Sequence, residues 1–319
     1  MPMSRVFRLL LGAREKMYET GLFRTMHLNH PVVSVGNLTL GGTGKTPLVM
    51  ALAERFRDEG FRPVVLSRGY KRSGKGMLVV SRGAGPISTW QESGDEPFLI
   101  ARRLSGIAVV VGADRYQAGR LAEREALGNL FILDDGFQHR GLFRNVDLVT
   151  IDPAEWAEGE KLLPNGRWRE PRTAIQRAHA ACVQEKPGWS VPPLPIPTFH
   201  VQTVIDGIYK GCDAVDPASL RGREIVAFAG IAKPERFFAG LESLGITLAR
   251  RIEYPDHHAF TPKDIAEIST NENNALLVTT EKDSVRLEGT GLGDFLHLRI
   301  SATISEFDRL MDLIRSRFS

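Results

Sequence analysis

Residues Gly41-Gly42-Thr43-Gly44-Lys45-Thr46 stand between a short apolar run, Pro31 to Gly36, and a helix-like segment from Lys45 to Asp58. Small residues let successive backbone N–H groups converge on one anion, and the helix that follows adds positive potential at its first turn. Strand, phosphate-binding loop and helix in that order restrict the chain to an α/β layout, because the strand must lie in a sheet whose faces helices cover. Lys45 is placed to reach β and γ phosphate oxygens, and Thr46 to offer a hydroxyl to Mg²⁺. The full pattern G-x-x-x-x-G-K-[ST] would put Gly at position 39, where this chain has Thr39 followed by Leu40. A Gly-rich turn that binds nothing is the bland alternative, but a Gly-Lys-Thr ending gives a helix start no packing advantage.

The rest of the chain repeats that rhythm. Pro63 to Ser67, Ile107 to Val111, Leu130 to Leu133 and Asp147 to Ile151 are strand-length apolar runs, separated by helical patterns such as Glu96 to Leu104 and Arg115 to Leu127. From Gln184 to Pro197 five prolines remove backbone donors and break helices. Beyond them, Ile225 to Ala229, Leu276 to Thr279 and Phe295 to Ile300 read as strands, and Pro234 to Leu244, Pro262 to Ser269 and Ser305 to Arg317 as helices. The expected fold is α/β, a P-loop NTPase-like parallel sheet with a second, smaller α/β domain. The expected divisions are an N-terminal amphipathic segment at 1–30, a nucleotide-binding domain at 31–185 and a C-terminal domain at 186–319. The 319 residues suit two domains.

Composition narrows the classes of function. The formal charge of +3 is too small to make the whole chain a polyanion binder, and no nucleic-acid partner is expected. Cys182 and Cys212 form no CxxC pair, which argues against zinc and disulfide frameworks. No apolar stretch approaches the ~18 residues a spanning helix needs. Val6, Phe7, Leu9, Leu10 and Leu11 interleave with Arg5, Arg8 and Arg14, a pattern that suits either an anionic membrane interface or a helix packed on the core.

Several further residues could choose the reaction. Leu130 to Asp135 is an apolar strand ending in two carboxylates, as in an element that holds Mg²⁺ behind a phosphate loop. Ser93-Gly94-Asp95-Glu96-Pro97 places Asp95 at a helix start, where it fits a helix cap as well as a general base. Tyr254 to Phe260 holds the pair His257-His258, too poor in ligands for a metal site of its own. Arg68 to Arg72 and Leu163 to Pro171 set basic and aromatic residues in loops, read either as solvated surface or as recognition of anionic groups.

Taken together, the segments Ser34 to Pro47, Leu66 to Tyr70, Gly94 to Pro97, Leu133 to His139, Asn165 to Glu170 and Asp256 to His258 closely resemble the tetraacyldisaccharide 4′-kinase family of lipid A biosynthesis. The resemblance covers nearly the whole chain in order, and the family shares the Thr at the first loop position. It implies an ATP-dependent lipid kinase that moves the γ-phosphoryl group to the 4′-hydroxyl of an acylated glucosamine disaccharide 1-phosphate, giving lipid IVA. The implied place is the cytoplasmic face of the bacterial inner membrane, as a peripheral protein. By the same resemblance Asp95, His257 and Lys45 are catalytic, His257 being preferred to His258 because it directly follows Asp256. Thr39, Leu40, Gly41, Gly42, Thr43, Gly44, Lys45 and Thr46 bind ATP, and Thr46, Asp134 and Asp135 hold Mg²⁺. Arg68, Tyr70, Arg115, Gln138, Arg169 and Glu170 match positions facing substrate or phosphate. With the loop in one domain and His257 in the other, closure is expected to assemble the site. The alternative from the phosphate loop alone is an ATPase switch with no phosphoryl acceptor.

Overall fold

The computed structural model describes residues 3–270 and 275–318 and divides into two compact units, 1–203 with 302–319, and 204–301. The first unit contains α1 (Met3–Glu19), β1 (Val32–Asn37), α2 (Lys45–Asp58), β2 (Pro63–Ser67), β3 (Leu78–Arg82), α3 (Trp90–Ser93) and α4 (Asp95–Arg103). It continues through β4 (Ala108–Val111), α5 (Arg115–Arg124), β5 (Leu130–Asp134), β6 (Val146–Ile151), α6 (Pro153–Ala157) and β7 (Ala180–Gln184). β8 (Thr198–Lys210) leads into the second unit, which holds β9 (Asp213–Val215), β10 (Ile225–Ala229), α7 (Pro234–Ser243), β11 (Leu248–Glu253), α8 (Pro262–Ser269), β12 (Leu276–Thr280) and α9 (Glu281–Arg286). β13 (Phe295–Ile304) leads back, and α10 (Phe307–Arg315) closes the chain in the first unit.

In the first unit the strand order is β8-β7-β6-β1-β5-β2-β4-β3, parallel except for β3, which runs antiparallel at the edge. Every residue of β1, β2, β4, β5 and β6 is buried, as expected for strands covered on both faces. Alternation sorts their side chains. Val33, Val35, Val65 and Ile132 join α2, α4 and α10 in one cluster, while Val32, Val64, Leu66 and Phe131 meet α5 in another. The carboxyl ends of β1, β5 and β2 therefore open side by side, which is where an α/β sheet places its ligand.

The second unit is a smaller parallel sheet in the order β11-β10-β12-β13, with Phe237, Phe238 and Leu241 of α7 packed on it. The contacts divide the chain elsewhere than at the 185/186 boundary expected from the prolines. β8 pairs parallel with β7 before leaving the first unit, and Leu310, Met311 and Ile314 of α10 are buried in the first unit's core. The Pro-rich stretch is a connection within that unit.

The N-terminal helix packs on the core along one part of its surface. Phe7 and Leu11 pack against the cluster containing Trp156 and Trp168, whereas Val6, Leu9 and Leu10 are exposed. Arg8 pairs with Glu160 at 2.5 Å, a contact between the helix and the body of the same unit.

Candidate active site

β1 ends at Asn37 and the chain turns through the Gly-rich loop into α2. Gly41 (φ +125°) and Gly44 (φ +78°) occupy backbone regions that side chains with a Cβ avoid. No side chain caps α2, so its first turn presents backbone N–H groups to an anion. The loop is braced from outside the motif. Thr43 Oγ1 lies 2.7 Å from Thr150 Oγ1, and Leu40 N donates to the Arg167 carbonyl at 2.7 Å while the Arg167 guanidinium donates back to the Leu40 carbonyl. Thr39 Oγ1 donates to Glu155 Oε2 at 2.7 Å in a buried bond that glycine could not make. That bond gives a physical reason for the departure from the general motif.

Beside the loop, Lys45 Nζ stands 3.6 Å from Asp135 Oδ1, and Arg169 NH1 reaches both Asp135 oxygens at 2.7 and 2.9 Å. Gln138 ties the group together, accepting from Arg169 at 3.0 Å and donating to the Asn37 carbonyl at 2.9 Å. Burial pushes the Asp135 carboxyl up, but Lys45, Arg169 and Arg115 together outweigh it and hold the group below the usual carboxylate range. Asp134, at the end of β5, behaves oppositely. Burial first, then the neighbouring Glu96 and Asp135 carboxylates, push it up to about 7.

A buried carboxylate crowded by two others is the charge arrangement that a divalent cation relieves. Among the described residues no cluster of three His, Cys, Asp or Glu side chains forms a metal cage. Mg²⁺ in kinases is bound instead by one or two carboxylates together with phosphate oxygens, which Asp134, Asp135 and the Thr46 hydroxyl fit. Asp134 is the more weakly engaged of the two carboxylates: Ser67 donates to it across a long 3.5 Å, while Arg169 donates to Asp135 at 2.7 Å.

Asp95 is buried at the first turn of α4, and its Oδ1 accepts from Glu96 N at 2.9 Å. Gly94 (φ +94°) allows the chain there to approach Gly69 and the Tyr70 carbonyl so closely that a Cβ would sit 3.2 Å from each. The Arg68-Gly69-Tyr70 loop after β2 thus lies against the start of α4, with Arg68 and Tyr70 exposed. Arg115 is buried and donates to the Ala113 carbonyl at 2.7 Å. Glu170 is buried and held by the guanidinium of Arg177, which lies over the Phe137 ring. It anchors the segment that delivers Arg169.

The second unit carries its own polar centre. Gly230, at the end of β10, receives the loop Pro255 to His258: His257 N donates to the Gly230 carbonyl at 3.1 Å, and His257 sits in the left-handed region at φ +59°. Asp283 and Arg286 are buried in an ion pair of 2.6 Å behind this loop. Arg286 donates to the carbonyls of Gly230 (2.9 Å) and His258 (3.1 Å), and Asp283 accepts from Gly230 N at 3.0 Å. The two histidines are held differently. His258 Nε2 meets Asp264 at 2.9 Å and its ring stacks on Tyr254, whereas His257 Nε2 lies 3.4 Å from Lys282 Nζ and 3.8 Å from Asp256.

Arg167 stands out in the sequence only as part of the basic Leu163 to Pro171 loop, and Glu155, Asn37, Gln184 and the Asp283–Arg286 pair do not stand out as site residues. Asn37 and Gln184 carried one usable signal, an amide closing an otherwise apolar strand. In the structure both are buried, with amide atoms that have no hydrogen-bond partner among the described residues.

A sequence model of the LpxK family, described as tetraacyldisaccharide-1-P 4′-kinase, matches residues 1–319. A tetraacyldisaccharide 4′-kinase of Syntrophus aciditrophicus (strain SB) is 41% identical over 313 residues, covering 89% of this chain and 82% of that protein. One from Aquifex aeolicus (strain VF5) is 35% identical over 294 residues, covering 91% and 89%. The crystal structure described as the "apo" form of LpxK from Aquifex aeolicus in complex with ATP superposes with a TM-score of 0.87 at 33% identity, over 100% of this chain and 98% of that one.

Proposed function

The chain belongs to the tetraacyldisaccharide-1-P 4′-kinase family, and from that premise we infer how its own residues carry out the reaction. It is an ATP-dependent kinase of lipid A biosynthesis, moving the γ-phosphoryl group to the 4′-hydroxyl of a tetraacyl glucosamine disaccharide 1-phosphate to give lipid IVA. The observation that carries the assignment of roles is the Lys45–Asp135–Arg169–Gln138 cluster at the mouth of the Gly-rich loop.

In this reading the loop from Thr39 to Thr46 cradles the phosphates with backbone N–H groups, and Lys45 neutralises charge on the β and γ oxygens. Arg169 and Lys45 hold Asp135 ionised. Bound Mg²⁺ supplies charge neutralisation on the transferring phosphoryl group, and Asp134, Asp135 and Thr46 are the residues that hold it. Asp95 accepts the proton of the attacking hydroxyl, a step that can contribute ~10²–10⁴-fold. His257 is its functional partner, a role supported by its loop: the neighbouring His258 is committed to Asp264 and Tyr254. Arg68, Tyr70 and Arg115 bind anionic groups of the substrates.

Incubation with γ-labelled ATP, Mg²⁺ and tetraacyl disaccharide 1-phosphate in detergent should put label on the lipid. ATP turnover independent of the lipid would instead indicate an ATPase switch.

The exposed Val6, Leu9 and Leu10, on a helix that also carries Arg5 and Arg8, support a peripheral place at the cytoplasmic face of the inner membrane. No helix of the described residues is long and apolar enough to cross a membrane. Replacing Leu9 and Leu10 by Ser should weaken binding to anionic liposomes with little change in Tm, whereas Phe7→Ser should lower Tm. Unchanged liposome binding in the double variant would remove the membrane role of this face.

A further inference from the structure

We propose that Lys282 is a positioning residue of the reaction: its ammonium takes the Nε2 lone pair of His257 and so leaves the proton of that ring on Nδ1. The proposal rests on the reading of His257 as the partner of Asp95 and adds to it the group that decides which edge of the ring can donate.

The donors and acceptors carry the assignment. Lys282 Nζ lies 3.4 Å from His257 Nε2, and both side chains are half-buried in the second unit. An ammonium has donors and no acceptor, so a ring nitrogen that meets it must accept and cannot carry a proton. The proton of the imidazole then stands on Nδ1. Asp256 does not compete for Nε2, since its Oδ2 is 3.8 Å away, beyond hydrogen-bond length. The adjacent His258 provides the contrast. Its Nε2 meets Asp264 at 2.9 Å, through the same Oδ2 that accepts from Thr261 N at 2.7 Å, so this ring carries a proton on Nε2.

Local structure puts Lys282 there against its own preference. Thr280 caps α9, its Oγ1 accepting from Asp283 N at 3.0 Å, and the first turn carries Glu281 and Asp283, the anions that a helix start favours. A lysine in that turn opposes the helix dipole. The two anions are engaged within the unit, Glu281 by Arg299 at 3.0 Å and Asp283 by Arg286 at 2.6 Å. One short helix thus holds the backbone of the His257 loop through Asp283 and Arg286, and orients the ring through Lys282. The chemical consequence is a division of labour. With its lone pair taken, His257 cannot itself accept the proton of the attacking hydroxyl; it offers Nδ1–H to the Asp95 carboxylate, and the proton falls to Asp95. The other tautomer would turn a lone pair towards that carboxylate, and a histidine in the wrong tautomer does not support its partner.

Nitrogen NMR on the full chain with isotope-labelled histidine tests this, the His257 signals being those lost in His257→Ala. His257 should show its proton on Nδ1, and His258 should show one on Nε2. Lys282→Met should move the His257 proton to Nε2 and leave His258 as it was. It should also lower kcat about tenfold or more at unchanged KM for ATP and lipid, with Tm near wild type because the Asp283–Arg286 clamp remains. Lys282→Arg, which keeps a donor, should restore the Nδ1 pattern and most of kcat. A proton on Nε2 of His257 in the wild-type protein overturns the proposal, and that measurement stands even if Lys282→Met does not fold. A His257 pattern unchanged in Lys282→Met, or a kcat near wild type in that variant, overturns it as well. His257→Ala separates the underlying reading: if that variant stays active, the partnership of His257 with Asp95 fails, and if it is inactive while Lys282→Met turns over normally, only the role of Lys282 fails.

Discussion

The phosphate loop of the first unit and the histidine loop of the second are both short turns after a parallel strand, yet they are held in shape by different means. From Thr39 to Thr46 the conformation comes from two positive-φ glycines and a helix start, with Thr39, Leu40 and Thr43 bonded to polar groups at the loop's edge. From Tyr254 to His258 no glycine is present in the turn, and His257 itself takes the positive φ. What fixes it is a buried charge pair from another part of the chain, Asp283 with Arg286, clamped on Gly230 and on the His258 carbonyl. A loop whose work is done by backbone N–H groups can be written into its own residues. A turn with no glycine to absorb the positive φ is supported from beneath.

The difference can be broken most severely at Lys45. Lys45→Ala should lower kcat/KM by roughly 10³-fold, the scale of losing a principal charge contact to the transition state, while Tm stays near that of the wild type. A variant that instead unfolds would show that the first loop, too, is held together by its side chains.

The proposed pairing of Asp95, at the start of α4, with the histidine loop is tested next. Asp95→Asn and His257→Ala should each lower kcat by about 10²-fold or more, and the double variant should be little worse than the poorer single one, because groups acting as a unit do not contribute additively. Fully multiplicative losses would separate the two residues, and retained activity in Asp95→Asn would remove Asp95 as the base.

The contrast in support is sharpened by Arg286→Met, which leaves Asp283 buried without its cation. It should destabilise the protein by about 3–5 kcal/mol, in the range measured for breaking a buried pair from one side. Denaturant unfolding checks this. A stability within error of the wild type would show that the histidine loop needs no ionic clamp.

The smallest effect concerns His139, at the end of the segment that follows Asp135. Burial, reinforced by Arg115, lowers it to about 4 from an ordinary value near 6.5. The unfolded chain therefore binds a proton that the native state refuses, so His139 contributes stability above about 6.5 that is lost as the pH falls towards 4. His139→Gln should flatten the acid side of the stability curve in that window and leave it unchanged above pH 7. An unaltered acid slope would assign the pH dependence to other groups.

Elements whose signals are contiguous are legible along the chain. The Gly41 to Thr46 loop, the apolar strands before it and at Leu130 to Leu133, the carboxylates that follow, and the start of α4 at Asp95 are each written in about ten neighbouring residues, and the structure places them at adjacent strand ends. The edge strand β3 and the exposed β11 were not legible, because half-exposed strands lack the continuous apolar run of buried ones. Three features emerge only in the folded chain: α10 belongs to the first unit, Glu155 and Arg167 brace the phosphate loop, and Arg286 stands behind the histidines. Glu155 and Arg167 act on loop residues more than a hundred positions away, and Arg286 reaches Gly230 across 56. Local sequence specifies backbone conformation and burial pattern; which distant polar side chain satisfies a buried group depends on packing, and packing exists only once the chain has folded.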